Sequence, residues 1–225
     1  MGISVTESEA PPRVAMLGGT FDPVHLGHLR SAVELAEVLE LDRVHMIPAH
    51  RPPLRGEPGV ASHERLSLLR LGIGDTPRLV ADDREIRRDG PSYSADTLAS
   101  LRADYGDQAR LVMALGHDAF LKLADWHQPQ RLFQLAHLVV LERPGYRQPL
   151  PPALDELIAG REVDDPAALF AAPAGGVLRI ALESRMAISA TAVRRRLSCG
   201  DSVRYLLPER VEHRITALGL YRHER

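Results

Sequence analysis

Short apolar runs recur along this chain at residues 14–17, 44–47, 111–115, 137–141 and 177–182, separated by stretches of helical periodicity. Runs of that length, bounded by Gly, Pro or charged residues, predict strands buried on both faces. Leu79-Val80 adds a shorter one. In the first unit, Val14-Ala15-Met16-Leu17 stops at Gly18-Gly19, which reads as a tight turn. Leu29, Val33, Ala36 and Leu39 then recur at helical spacing with Arg30, Glu34 and Glu37 between them, and the strand at 44–47 closes on Pro48. This is a βαβ unit, whose crossover is expected to be right-handed and whose strands parallel. Further helices are predicted at 62–73, with Ser62 as N-cap, and at 95–101, 154–158, 190–197 and 208–218. The fold class that follows is α/β: a Rossmann-like open parallel sheet with helices on both faces.

Domain organisation follows from the same pattern. Residues 1–12 are polar and acidic, lacking the basic start and apolar run of a secretory signal, and read as a disordered lead-in. Residues 13–225 read as one domain, with a Pro-, Ala- and Gly-rich insertion around 143–176 between strand-forming runs. At 225 residues the chain is long enough for one sizeable core.

Composition narrows the function classes. A formal net charge of −2 gives no general attraction to nucleic acid or to an anionic membrane. No apolar run approaches the roughly 20 residues that span a bilayer. Cys199 is the only cysteine, so an internal disulfide and a cysteine-based zinc cluster are excluded, and a reducing, cytoplasmic setting fits. Lys122 is the only lysine among 28 Lys and Arg side chains. Side-chain cations that meet phosphate are therefore expected to be arginine or protonated histidine.

Chemistry concentrates in Gly18-Gly19-Thr20-Phe21-Asp22-Pro23-Val24-His25-Leu26-Gly27-His28, between the first strand and its helix. An open α/β sheet places its ligands there. The glycines let the backbone approach an anion and take conformations that a Cβ forbids. The helix start presents unpaired N–H groups and its positive dipole end to the same place. His25 and His28, three apart, can project to one side with Gly27 leaving room between them. A triphosphate fits this arrangement. A zinc pair lacks a third local ligand. The loop is neither G-x-x-x-x-G-K-[ST] nor G-x-G-x-x-G, which argues against a P-loop NTPase and against NAD as a redox cofactor.

This stretch resembles the T/HxGH element of the nucleotidyltransferase superfamily, in the longer form found in bacterial nicotinate-nucleotide adenylyltransferases. Ile188-Ser189-Ala190-Thr191-Ala192-Val193-Arg194 resembles that family's ISxTxIR stretch, offering Ser189 as an N-cap and Arg194 one turn in for a phosphate. Pro91-Ser92-Tyr93-Ser94 resembles its PSYT, Gly116-His117-Asp118 its GxD, Trp126-His127 its TW-aromatic pair, and Arg143-Pro144-Gly145 its RPG. The close at Gly219-Leu220-Tyr221-Arg222 is similar too, so the resemblance runs from about Arg13 to Arg222. Two positions depart from the pattern: Leu54 in Pro52-Pro53-Leu54-Arg55 stands where relatives carry histidine, and Ser94 replaces threonine.

The resemblance implies transfer of the adenylyl group of ATP to nicotinate mononucleotide, with Mg²⁺ carried by the nucleotide rather than by a carboxylate cage. It assigns catalysis to His25, His28 and Arg194. It assigns ATP binding to Gly18, Gly19, Thr20, Phe21, His25, His28, Ser189, Thr191 and Arg194. The mononucleotide falls to Ser94, Asp118, Trp126, His127 and Arg143. Taken alone, Trp126 could be a core residue and Asp118 a helix cap. Arg195 and Arg196 are expected to be solvated, since three successive arginines cannot all face one ligand from a helix. Rival readings are a sister pantetheine-phosphate, nicotinamide-mononucleotide or cytidylyl transferase, a non-catalytic nucleotide sensor, and an aminoacyl-tRNA synthetase relative. The last would need a lysine-rich catalytic loop. Neither nucleic acid nor membrane is an expected partner, and a homo-oligomer stays open.

Overall fold

The computed structural model describes residues 10–53, 58–142, 149–184 and 186–222. Its strands are β1 (Arg13–Gly19), β2 (Arg43–Pro48), β3 (Leu79–Ala81), β4 (Arg110–Gly116), β5 (His137–Leu141), β6 (Glu162–Val163) and β7 (Val177–Ile180). The helices are α1 (Leu26–Val38), α2 (Ser62–Ile73), α3 (Arg84–Arg87), α4 (Ser94–Tyr105), α5 (His117–Phe120), α6 (Pro129–Leu135), α7 (Pro152–Ile158), α8 (Pro166–Leu169), α9 (Ala190–Cys199) and α10 (Glu209–Leu218). A 3₁₀ turn covers Leu123–Asp125.

All seven strands form one parallel sheet in the order β3-β2-β1-β4-β5-β7-β6. Period-two alternation divides the strand residues between two cores. Ala15, Leu17, Val44, Met46, Val112 and Val139 meet Leu35 of α1 and Leu39 that caps it, Leu68 and Leu69 of α2, and Val211 and Ile215 of α10. Val14, Met16, Leu111, Met113, Leu138 and Val140 meet Leu98 and Leu101 of α4, Leu132 and Phe133 of α6, and Leu154 and Ile158 of α7. Helices on both faces bury the strands twice over, which is why they read as unbroken apolar runs. The chain order reverses between β1 and β4, so a crevice opens beyond their C-terminal ends.

Some boundaries differ from the sequence expectation. Of the lead-in expected over residues 1–12, residues 1–9 lie outside the described residues, and the Pro12 carbonyl already accepts from Arg110 N–H at 2.8 Å. Within the expected insertion, 143–148 lie outside the described residues; the rest folds into α7, β6 and α8, and β6 extends the sheet by pairing with β7. Ser62 is the first helical residue and Ala61 the N-cap, because the Ser62 hydroxyl is hydrogen-bonded to His50 Nδ1 at 2.9 Å.

Glu34, read as a polar-face residue, is buried. It pairs with Arg30 at 2.7 Å and accepts from Ser184 N–H at 3.1 Å, fixing the segment between β7 and α9 against α1. Burial pushes the Glu34 carboxyl upward, but the hydrogen bonds from Ser184 and Arg30, with the Arg30 charge, bring it below its ordinary value.

Candidate active site

The loop from β1 to α1 is held by its own side chains. His25 is the N-cap of α1 and His28 its third residue, and each caps the other. His28 N–H donates to His25 Nδ1 at 3.3 Å, and His25 N–H donates to His28 Nδ1 at 3.4 Å. The rings stack with centroids 3.6 Å apart, and the edge of Phe21 meets His28 at 5.0 Å. A ring whose Nδ1 accepts a hydrogen bond while neutral carries its proton on Nε2. Burial lowers His25 to about 4; burial, then the charge of His25, lowers His28 to about 3. Lowered in this way, both rings are neutral near pH 7, and each offers an Nε2–H donor.

The conformational part of the glycine reading differs from the structure. Gly18 and Gly19 still belong to β1 and neither has positive φ; Phe21 does, at 47°. Gly19 contributes space, since a Cβ there would lie 3.2 Å from the Phe21 ring. At Gly27 a Cβ would lie 3.1 Å from His25 Nδ1, so only glycine leaves the stacked pair undisturbed.

The second motif docks onto this loop. Ser189 caps α9, its hydroxyl accepting from Ala192 N–H at 3.2 Å. Thr191 is exposed in the first turn, and Arg194 is half-buried one turn in. Arg194 donates to the Asp22 carbonyl at 2.7 Å and to Thr191 Oγ1 at 3.4 Å. Residues 172 positions apart are thus brought to one edge of the crevice.

Beneath them lies a cluster that sequence reasoning missed. Arg65 of α2 is 1% exposed and donates to three loop carbonyls: Val60 at 3.0 Å, Ala49 at 2.7 Å, and Thr20. Burial pulls its guanidinium below the ordinary value, and the charges of Asp22 and Tyr221 offset part of that. Asp22, also buried, accepts from the Tyr221 hydroxyl at 2.7 Å. Burial, then the hydrogen bond and charge of Asp22, pushes the Tyr221 phenol well above its usual range. The one signal in the sequence was a charged residue within an otherwise apolar helix stripe (Arg65 beside Leu66, Leu68 and Leu69).

On the other side of the crevice, Asp118 is exposed in the first turn of α5, directly after β4. Ser94 is the first residue of α4. Trp126 ends the 3₁₀ turn, half-buried and packed against the second core. His127 stacks on Tyr93 with centroids 4.1 Å apart, joining the 91–94 loop to the 126–128 segment. Arg143 and Leu54 lie outside the described residues.

Glu85, another residue the sequence did not flag, organises this side. Buried, it accepts from Thr97 Oγ1 at 2.7 Å and is hydrogen-bonded to Ser92. Ser92 Oγ in turn accepts from the N–H groups of His50 at 2.8 Å and Arg51 at 3.1 Å. Burial raises the Glu85 carboxyl, against the pull of those hydrogen bonds and of Arg88.

A histidine pair at one helix start and an arginine near a second, joined through the Asp22 loop at the switch point of a parallel sheet, are the arrangement of a nucleotidyltransferase. The chain matches the family model described as cytidylyltransferase-like over residues 16–196. It is 69% identical over 211 residues to the "Probable nicotinate-nucleotide adenylyltransferase" of Chromohalobacter salexigens, covering 94% of this chain and 96% of that one. Proteins of the same name from Halorhodospira halophila and Pseudomonas syringae pv. tomato are 48% and 45% identical over 92% and 94% of this chain, and 94% and 95% of their own. The fold is similar to that of Plasmodium falciparum nicotinic acid mononucleotide adenylyltransferase complexed with NaAD, with a TM-score of 0.69 at 13% identity, covering 93% of this chain and 97% of that one. The chain belongs to the nicotinate-nucleotide adenylyltransferase family.

Proposed function

We propose that this protein transfers the adenylyl group of ATP to nicotinate mononucleotide, giving nicotinate adenine dinucleotide and pyrophosphate in NAD biosynthesis. The observation that carries the reading is the locked pair His25–His28 on the loop that Arg194 grips at the Asp22 carbonyl, within a chain 69% identical to a relative of that name. A mononucleotide phosphate oxygen attacks the α-phosphorus of ATP. The bond from that phosphorus to the bridging oxygen breaks, and pyrophosphate leaves with the electron pair. The nucleophile is already anionic, so no general base is required. Catalysis consists of alignment and of stabilising charge on the phosphoryl oxygens.

In this reading the Nε2–H donors of His25 and His28 and the backbone at Gly18–Phe21 meet the triphosphate, with Ser189, Thr191 and Arg194 on its far side. Asp118 holds a ribose. Ser94, Trp126, His127 and Arg143 shape the mononucleotide site, with Glu85 and Ser92 fixing the loops that carry it. Mg²⁺ would be held by the oxygens of the triphosphate itself, since the side chains offered to the phosphates are donors and that cation takes oxygen ligands. A cytoplasmic site of action fits; no helix among the described residues is long and apolar enough to cross a membrane.

The test is pyrophosphate release with ATP and Mg²⁺, comparing nicotinate mononucleotide with nicotinamide mononucleotide. A strong preference for the nicotinate form is expected. Turnover of the amide alone would reverse the specificity, and turnover of neither would defeat the reading.

A further inference from the structure

The docking of α9 leaves a groove on its outer side, beyond Arg194. The groove has a volume of about 480 Å³ and is lined by Thr191, Arg194, Arg195, Ser198, Tyr221 and Arg222. The four α9 residues fall at i, i+3, i+4 and i+7, one face of the helix. The facing wall is the C-terminal segment. Its place is set by Tyr221, whose hydroxyl is tied to buried Asp22, the same residue whose carbonyl holds Arg194. One residue therefore fixes both walls.

Three arginines from two segments converge here, and they are not occupied alike. Arg194 is engaged at the inner end by Asp22 and Thr191. Arg195 and Arg222 are exposed, and among the described residues neither makes an ion pair. Arg196 turns to the other side, donating to the Ser202 carbonyl at 2.9 Å. The groove thus concentrates positive charge, and the counter-ion that the described residues supply is Asp22 at its inner end, whose Oδ2 lies 3.9 Å from Arg194. Its guanidinium forks and hydroxyls match the oxygens of a phosphate.

We propose that this groove seats the leaving pyrophosphate, with Arg195 and Arg222 as its outer contacts. The inference rests on the adenylyl-transfer reading above. When the α-phosphorus bond breaks, the departing group carries the β- and γ-phosphates and their negative charge. The groove starts at Thr191 and Arg194, where that reading places the triphosphate, and runs outward along α9 to Ser198 and Arg222. Charge gained by the leaving group therefore meets fixed positive charge along its exit. Arg195, expected only to be solvated, joins Thr191 and Ser198 on the groove side of α9, because four residues on from Thr191 make slightly more than one turn.

The double variant Arg195→Ala/Arg222→Ala tests this in the reverse reaction, nicotinate adenine dinucleotide plus pyrophosphate. The KM for pyrophosphate is expected to rise about tenfold or more on loss of two charge-assisted contacts, with little change in the KM for the dinucleotide. Arg196→Ala removes one charge from the other side of the helix and is expected to change neither. A pyrophosphate KM within twofold of the parent protein, or an equal effect from Arg196→Ala, would overturn the groove. Equilibrium dialysis with inorganic pyrophosphate separates this from the parent reading. Weaker binding in the double variant would uphold the groove as a pyrophosphate seat even if no mononucleotide were turned over.

Discussion

Each of His25 and His28 spends Nδ1 on its neighbour's backbone and is left with one donor, Nε2–H. Structural and chemical uses of the same ring are thereby separated by atom, and they can be separated by mutation. His28→Ala removes both, and kcat for pyrophosphate release is expected to fall by about 10²–10³, the scale of losing one preorganised donor to transition-state charge. It should also cost roughly 1 kcal/mol of stability through the lost cap. His28→Asn can still accept from His25 N–H, so it is expected to recover most of the stability and little of the turnover. Recovery of both would make the pair a cap and nothing more.

Among the elements, α2 reaches furthest through Arg65, which ties two loops to it at three points. Its forked guanidinium serves three carbonyls, after β1, after β2 and before α2 itself. A lysine carries the same charge but cannot span them. Arg65→Lys is therefore expected to destabilise the protein by about 2–4 kcal/mol, lowering Tm by on the order of 5–15 °C. Calorimetry would check this; an unchanged Tm would mean the loops hold without the tether. That Arg65 escaped the sequence reading has a physical cause. Helical periodicity assigns arginine to the solvent face, and nothing local shows that the carbonyls of Thr20 and Ala49 converge on it with that of Val60. The histidine loop and α9 were legible for the opposite reason, because their capping is satisfied within a few residues.

For the whole molecule, three histidines, the buried His25 and His137 and the half-buried His28, shape the response to acid. His25 and His137 are lowered to about 4 and His28 to about 3, in each case chiefly by burial. His137 resembles the pair in the loop: its Nδ1 accepts from Gly176 N–H at 3.0 Å, leaving Nε2–H to donate to the Ala172 carbonyl at 2.9 Å. Since these values lie below that of an unfolded histidine, near 6.5, the unfolded chain binds more protons from about pH 6.5 downward. Stability is fully present above that range and is lost as pH falls. Glu85, raised by burial, works in the opposite direction. Tm is expected to drop by several degrees between pH 7.5 and pH 5. A flat profile across that window would show that the rings are not held neutral.

What the sequence by itself determined is whatever rests on period and on short range. Alternating runs gave the parallel α/β sheet, because residues buried on both faces must be apolar. The stretch from Gly18 to His28 and that from Ile188 to Arg194 carried their own caps and turn chemistry. Only the tertiary structure decided what depends on distant segments meeting. It brought Asp22 to Arg194 and Tyr221, drew Glu34 inward to Ser184, and linked Glu85 through Ser92 to the loop after β2. A polar side chain far from its partner in sequence looks solvated, and its burial is stable only because folding supplies that partner.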